Sequence, residues 1–194
     1  MSRRIAGVAA APISRHRFNV DEYYDMARAG VFSQDDRVEL LEGEVVDMTP
    51  IGPGHAKRVK NLNQVFSIRL GVRALVSVQD PIRLGRGSEP QPDIALLAPR
   101  QDLYGTRHPG PEDVLLVVEV ADSTLEFDRE VKIPLYARHG IPEAWLVNLV
   151  ERRIEVYREP SADGYKAIRY AVVGDTISPL AFPDLMLKVD EILM

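Results

Sequence analysis

Apolar residues recur at three- and four-residue spacing in HAKRVKNLNQVFSIRL, residues 55–70, which predicts an amphipathic helix. The segment 19–30 predicts an earlier helix, because Asn19 followed by Glu22 is close to a capping box and Gly30 is a common helix end. The segment 128–140 predicts a later helix. Its Pro134 requires that this helix begins near Val131 or is kinked there.

Alternating and continuous apolar runs predict strands elsewhere in the chain. Residues 37–48 suit a hairpin with one solvated face, which would carry Glu39, Glu42 and Glu44. Further strands are expected within 74–84, 92–99, 114–121 and 165–173, and a second hairpin over 143–159 with its turn near 151–153. Helices before and after these strands predict an α/β (α+β) fold, with a central mixed β-sheet flanked by helices.

The composition narrows the class of protein. A chain of 194 residues with 45% hydrophobic content can bury one core, so we expect a flexible N-terminal arm over 1–17 and a single domain over 18–194. The absence of cysteine excludes disulfides, thiolate zinc sites and a cysteine nucleophile, and it fits the cytoplasm. The longest apolar run, 114–118, is too short to cross a bilayer, so no membrane association is expected.

The charge distribution is uneven. A net charge of −5 argues against charge-driven binding of nucleic acid, but residues 48–79 contain no Asp or Glu. Lys57, Arg58 and Lys60 lie in this stretch and could contact phosphates, although an ordinary solvated helix face would have the same composition.

Two carboxylates stand inside apolar strand sequences. Asp93 heads the run PDIALLAP and Glu119 lies within VLLVVEVA, and the intervening loop is long enough for the two strands to pair. Two acids in an apolar setting require a proton, a cationic partner or a metal ion. Magnesium suits one or two carboxylates plus water, while an ion pair of Glu119 with Arg83 or Arg129 is the alternative.

Lys132 could bring an ammonium group into the same pocket from the next element. The alternative is a solvated helical lysine paired with Asp128 at the i, i+4 spacing. His55 could take part in the same site. The alternative is that its ring only packs on the apolar stripe at the start of its helix.

These residues together resemble a known family. The sequences PD at 92–93, VEVADST at 118–124, Asp128 with Lys132, YARHGIPEAWLV at 136–147 and VELLEGE with His55 are similar to the Uma family of putative restriction endonucleases. That family belongs to the PD-(D/E)XK nuclease superfamily, and the resemblance covers most of the chain.

The resemblance implies a restriction-endonuclease-like fold and an endonuclease that hydrolyses DNA phosphodiester bonds with a Mg²⁺-activated water, Mn²⁺ being a substitute. It assigns Asp93 and Glu119 as metal ligands and Lys132 as the catalytic lysine, with Glu44 (or Glu39) and His55 as further catalytic candidates. Ala121 occupies the place where the superfamily has its lysine, so the lysine has either migrated to position 132 or been lost with the activity. In the second case the protein would be a catalytically inactive nucleic-acid or protein interaction module. Cutting both strands of a duplex would favour a homodimer.

Overall fold

The computed structural model describes residues 14–33 and 35–194. Its helices are α1 (Val20–Arg28), α2 (Pro53–Leu70), α3 (Leu125–Phe127), α4 (Ile133–Arg138) and α5 (Val189–Leu193). Its strands are β1 (Val38–Leu41), β2 (Glu44–Asp47), β3 (Leu75–Ser77), β4 (Ile94–Leu97), β5 (Val114–Ala121), β6 (Glu143–Asn148), β7 (Arg153–Ser161), β8 (Gly164–Val172), β9 (Thr176–Ile177) and β10 (Leu187–Lys188). None of the helices in this described part is long and apolar enough to cross a membrane.

The central sheet has six strands in the order β3-β4-β5-β6-β7-β8. Only β5 and β6 run parallel, and the other neighbours are antiparallel. The predicted mixed sheet flanked by helices is therefore confirmed. Hairpin β1–β2 and the pair β9–β10 form two separate small sheets.

Each face of the sheet has its own apolar core. Phe66 and Leu62 of α2 and Ile192 of α5 pack against one face, where they meet Trp145 of β6. Leu135 and Tyr136 of α4 lie in the core on the opposite face, which also contains Leu41 of β1. The side chains that alternate along β5 therefore serve two different cores.

The N-terminal helix forms as its sequence predicts. The Asn19 side chain accepts a hydrogen bond from the Glu22 backbone N–H (3.1 Å), and the Glu22 carboxylate accepts one from the Asn19 N–H (2.9 Å). Most of the predicted arm, residues 1–13, lies outside the described residues. The Phe18 N–H donates to the Gly43 carbonyl (2.9 Å), which ties the chain just before α1 to the turn between β1 and β2.

The third predicted helix starts earlier than its sequence suggested. Helical turns begin at Leu125, widen into a π-helical turn over Asp128–Lys132 and continue as α4. Pro134 cannot donate a backbone hydrogen bond, and the wide turn before it is a common way to accommodate such a residue. Of the two options for Pro134, distortion of the helix is therefore the correct one.

Candidate active site

Asp93 and Glu119 lie side by side at the end of the β4–β5 pair. Ile94 pairs with Val118 in the antiparallel register, so one further step places Asp93 opposite Glu119. Directly opposed side chains lie on the same face of a sheet, with Cβ atoms about 5 Å apart. Both residues are buried, and both line a small cavity of about 90 Å³.

Asp93 is held by three hydrogen-bond donors. Its Oδ2 accepts from the Val120 N–H (2.9 Å) and contacts His55 Nε2 (2.8 Å), while Oδ1 accepts from the Gln79 side chain (3.1 Å). Burial raises the pKa of Asp93, but His55 and the other donors outweigh burial and leave that pKa below its ordinary value. The hydrogen bond to Asp93 likewise raises the pKa of His55, against the effect of burial. Asp93 and His55 therefore favour their charged forms.

Glu119 has one satisfied oxygen and one open oxygen. Its Oε1 lies 2.8 Å from Lys132 Nζ and accepts a hydrogen bond from the Tyr136 hydroxyl at 2.5 Å. No hydrogen bond to its Oε2 is present among the described residues, and Glu119 lines the cavity. Burial raises the pKa of Glu119 to about 8, with nearby Asp128 and Asp93 adding to the effect and Lys132 opposing it.

Lys132 reaches the cavity from the π-helical turn that covers the same face of the sheet. Burial lowers the pKa of Lys132, but the negative charges of Glu119, Glu39 and Asp128 raise it above its ordinary value, so the ammonium stays charged. The alternative of a solvated Lys132 paired with Asp128 is wrong, because only 4% of Lys132 is exposed.

Ala121 is buried on the side of β5 from which Lys132 contacts Glu119. Residues two apart on a strand share a face, so Ala121 lies on the Glu119 side of β5, in the core that α4 covers. Lys132 reaches this side of β5 from the π-helical turn packed over the sheet, and not from β5 itself.

Glu39 belongs to the cavity, and here the expectation of a solvated hairpin face fails. Only 3% of Glu39 is exposed. Its Oε2 accepts from the Gln91 N–H (3.0 Å) and lies 3.5 Å from Lys132 Nζ. Strand β1 is buried along its whole length, and Leu40 at its centre forms a backbone bridge with Glu89.

Glu44 is not brought to the other candidates. It is exposed on β2 and forms an ion pair with Arg17 at 2.6 Å. The proposed arginine partners of Glu119 are also engaged elsewhere, since Arg83 pairs with Glu89 and Arg129 with Glu155. The cationic partner of Glu119 is therefore Lys132.

Acidic groups outnumber cations in the buried part of the cavity. Glu39, Asp93, Glu119 and Asp128 line it together with Lys132 and His55. Asp128 accepts a hydrogen bond from the Thr124 hydroxyl (2.6 Å), and burial raises its pKa. A cluster of this composition is balanced either by protons on its acids or by an additional cation.

The residues fit a magnesium ion, although the protein does not offer a complete ligand cage. Within 14–33 and 35–194 there is no group of three or more His, Cys, Asp or Glu side chains arranged to hold a metal. Magnesium commonly uses only one or two carboxylates and keeps its waters, and Asp93 with the open oxygen of Glu119 matches that pattern. The buried Nδ1 of His55 has no hydrogen-bond partner among the described residues. In the protonated ring this nitrogen is a donor, so it fits a water or a phosphate oxygen and not the metal ion itself.

The predicted phosphate-contacting cations separate into two kinds. Lys57 and Lys60 are exposed on α2, near His55. Arg58 instead donates to the carbonyls of Gly54 (3.1 Å) and Leu193 (3.2 Å), so it ties α2 to the C-terminal helix. Arg37, which was not singled out from the sequence, is exposed and lines the cavity.

Three residues that contact the acids were also missed from the sequence. Tyr136 follows Lys132 by four positions, which on a helix places the two on one side. Gln91 precedes Asp93 by two positions, as expected for one side of an extended chain. For Gln79 the sequence carries no comparable signal, because its loop is positioned by tertiary contacts.

Comparisons with known proteins agree with this architecture. The model of the Uma2 family, described as "putative restriction endonuclease", matches residues 20–190. A crystal structure of a putative nuclease of the DUF820 family from Anabaena variabilis superposes with a TM-score of 0.69 at 15% sequence identity, and the match covers 91% of this chain and 97% of that chain. No curated protein sequence matches this chain significantly.

Proposed function

Because the chain belongs to the Uma2 family, we propose that it is a nuclease that hydrolyses DNA phosphodiester bonds with a divalent cation held by Asp93 and Glu119. The observation that carries the proposal is the pairing of these two carboxylates across β4 and β5, on the wall of one small cavity. The architecture shared with the putative nuclease from Anabaena variabilis supports the same assignment of fold.

In this proposal the chain prepares the cation site through the partners of each carboxylate. The three donors around Asp93 fix its oxygens, and Lys132 and Tyr136 fix Oε1 of Glu119 so that Oε2 faces the cavity. Since the pKa of Glu119 is about 8 in the metal-free protein, Glu119 must release a proton when it becomes a ligand. A bound Mg²⁺ would polarise a phosphoryl oxygen and increase the acidity of water.

Lys132 has two roles in the proposal. Its ammonium lies 2.8 Å from Glu119 and 3.5 Å from both Glu39 and the Gln91 carbonyl, which holds the acids together before any cation arrives. With a cation bound at Glu119, the Lys132 ammonium would be free to offset the charge of a phosphate group. The contact with Asp93 raises the pKa of His55, and the protonated ring would add positive charge at the same wall of the cavity. The exposed Lys57, Lys60 and Arg37 would contact the flanking phosphates.

Plasmid cleavage with Mg²⁺ or Mn²⁺ tests this function. Wild-type protein should nick or linearise DNA only with added metal, and Asp93→Asn and Glu119→Gln should each reduce the rate by about a hundredfold or more. The matched control is Glu44→Gln, because Glu44 is an exposed acid that lies outside the cavity. Equal loss in all three variants, or equal activity of the wild type in EDTA, would overturn the proposal.

A second candidate function has one observation in its favour. The Lys132–Glu119 contact is the ion pair that a catalytically inactive interaction module would retain without a metal. That candidate predicts metal-independent binding of DNA or protein without cleavage. DNA binding measured in EDTA, alongside the cleavage assay, separates the two functions.

A further inference from the structure

Strand β8 forms one edge of the central sheet and carries an exposed apolar stripe. Ile168, Tyr170 and Val172 share the face toward α4, and they are 50%, 54% and 50% exposed. At nine residues β8 is as long as β7, its one neighbour among the described strands. Long apolar edge strands are rare on proteins that stay monomeric, because such edges pair with other strands.

The backbone hydrogen bonds show which groups of β8 face outward. Val172 uses both its N–H and its carbonyl to bond Asp175 at the following turn, so these groups point away from β7. Outward and inward residues alternate along an antiparallel strand, so the groups of Tyr170, Ile168 and Lys166 also point away from β7. Within residues 14–33 and 35–194, the outward N–H and carbonyl groups of Lys166, Ile168 and Tyr170 have no hydrogen-bond partner.

We propose that two copies of this chain pair edge to edge through antiparallel β8 strands, with the two-fold axis at Ile168. In this register the three residues with open backbone groups pair only with one another, Lys166 with Tyr170 of the second copy and Ile168 with itself. Two six-stranded sheets then join into one continuous sheet of twelve strands. A two-fold axis makes such a contact self-complementary and closed, so it yields a dimer instead of a fibre.

The side chains agree with this register. Ile168 meets its own copy, which buries the centre of the stripe. Lys166 is exposed and has no ion pair in the described part of the chain, and it would lie against the Tyr170 ring of the second copy. Arg153 already stacks on the Tyr170 ring at 4.3 Å, so the ring is held in place before pairing.

A neighbouring register is disfavoured by charge. Moving the axis by one residue, to Arg169, would place Arg169 directly opposite Arg169 of the second copy on the other face of the sheet. Like charges in directly opposed positions destabilise a strand pair. With the axis at Ile168, Arg169 faces Ala167 instead.

Sedimentation velocity and light scattering on the full chain test the dimer. The wild type should have twice the 21.7 kDa mass of one chain, and Ile168→Lys should raise the dissociation constant by about tenfold or more, because two ammonium groups then meet on the axis. Ile68→Lys is the control, since Ile68 is equally apolar and 72% exposed but lies on α2. A monomeric wild type across the micromolar range, or a dimer that Ile168→Lys leaves intact, would overturn the proposal.

Oxidative cross-linking tests the register itself. The chain has no cysteine, so Ile168→Cys introduces a single thiol. Paired residues on an axis have Cα atoms about 5.5 Å apart, within the span of a disulfide. Ile168→Cys should therefore cross-link to a covalent dimer, whereas Val172→Cys, which would face Gly164 of the second copy, should not. The reverse result contradicts the register, and neither outcome depends on nuclease activity.

Discussion

Replacing Glu119 by glutamine should stabilise the metal-free protein above neutral pH. The pKa of Glu119 rises from an ordinary 4.5 to about 8 in the fold, a difference of 8 − 4.5, or 3.5 units. Each pKa unit corresponds to about 1.4 kcal/mol, so ionising this side chain within the fold costs up to about 5 kcal/mol. The amide oxygen of glutamine can still accept from Lys132 and Tyr136, so the variant avoids this cost and keeps both contacts.

The sign of the pH dependence follows from proton binding. Between pH 4.5 and 8 folded Glu119 holds a proton that the unfolded chain releases, so wild-type stability falls as pH rises through this window. Glu119→Gln removes that slope. The variant should match the wild type near pH 4.5 and exceed it by several kcal/mol at pH 8.

Urea unfolding in EDTA at several pH values measures the difference. Glu155→Gln is a control of opposite sign, because Glu155 is equally buried but hydrogen bonds from Arg129, Tyr157, Asn148 and Arg153 outweigh burial and lower its pKa to about 2. That variant should be less stable than the wild type at pH 8. Strong destabilisation by Glu119→Gln at pH 8 would refute the reasoning, since it would show that an ionised Glu119 locks the fold through Lys132.

Two further predictions concern the partners of these buried acids. Tyr136→Phe removes the hydroxyl that orients Glu119 and should weaken Mn²⁺ binding by about tenfold or more in a calorimetric titration, whereas Tyr104→Phe, whose hydroxyl bonds the Ala98 carbonyl, should leave Mn²⁺ binding unchanged. Acid titration of stability should show that Glu155, with a pKa lowered from 4.5 to about 2, contributes about 3 kcal/mol above pH 4.5 that is lost as pH falls to 2. Glu155→Gln should abolish this loss of stability at low pH. If the variant lost the same stability as the wild type between pH 4.5 and 2, the low pKa of Glu155 would not be its cause.

Local sequence patterns predicted most of the elements because they depend on near neighbours. The capping residues of α1, the apolar stripe of α2 and the two hairpins all form within short segments, and each is present. The family resemblance is confirmed by the family match.

The parts that failed depend on contacts between distant segments. Glu39 and Glu44 look alike in the hairpin sequence, yet Glu39 is buried against Gln91, fifty-two residues away, while Glu44 stays in solvent. Lys132 is buried because it lies in a π-helical turn, and Pro134 was the one sign of that turn in the sequence. The roles of Asp93, Glu119, Lys132 and His55 in catalysis stay predictions.

Calorimetric titration of Mn²⁺ into the metal-free protein tests most directly whether the paired carboxylates hold a cation. Wild-type protein and the exposed control Glu44→Gln should bind the ion with the same affinity. Asp93→Asn and Glu119→Gln should each weaken binding by about a hundredfold, because each removes one of the two charged ligands. Unchanged affinity in both variants, or no binding to the wild type, would contradict the account.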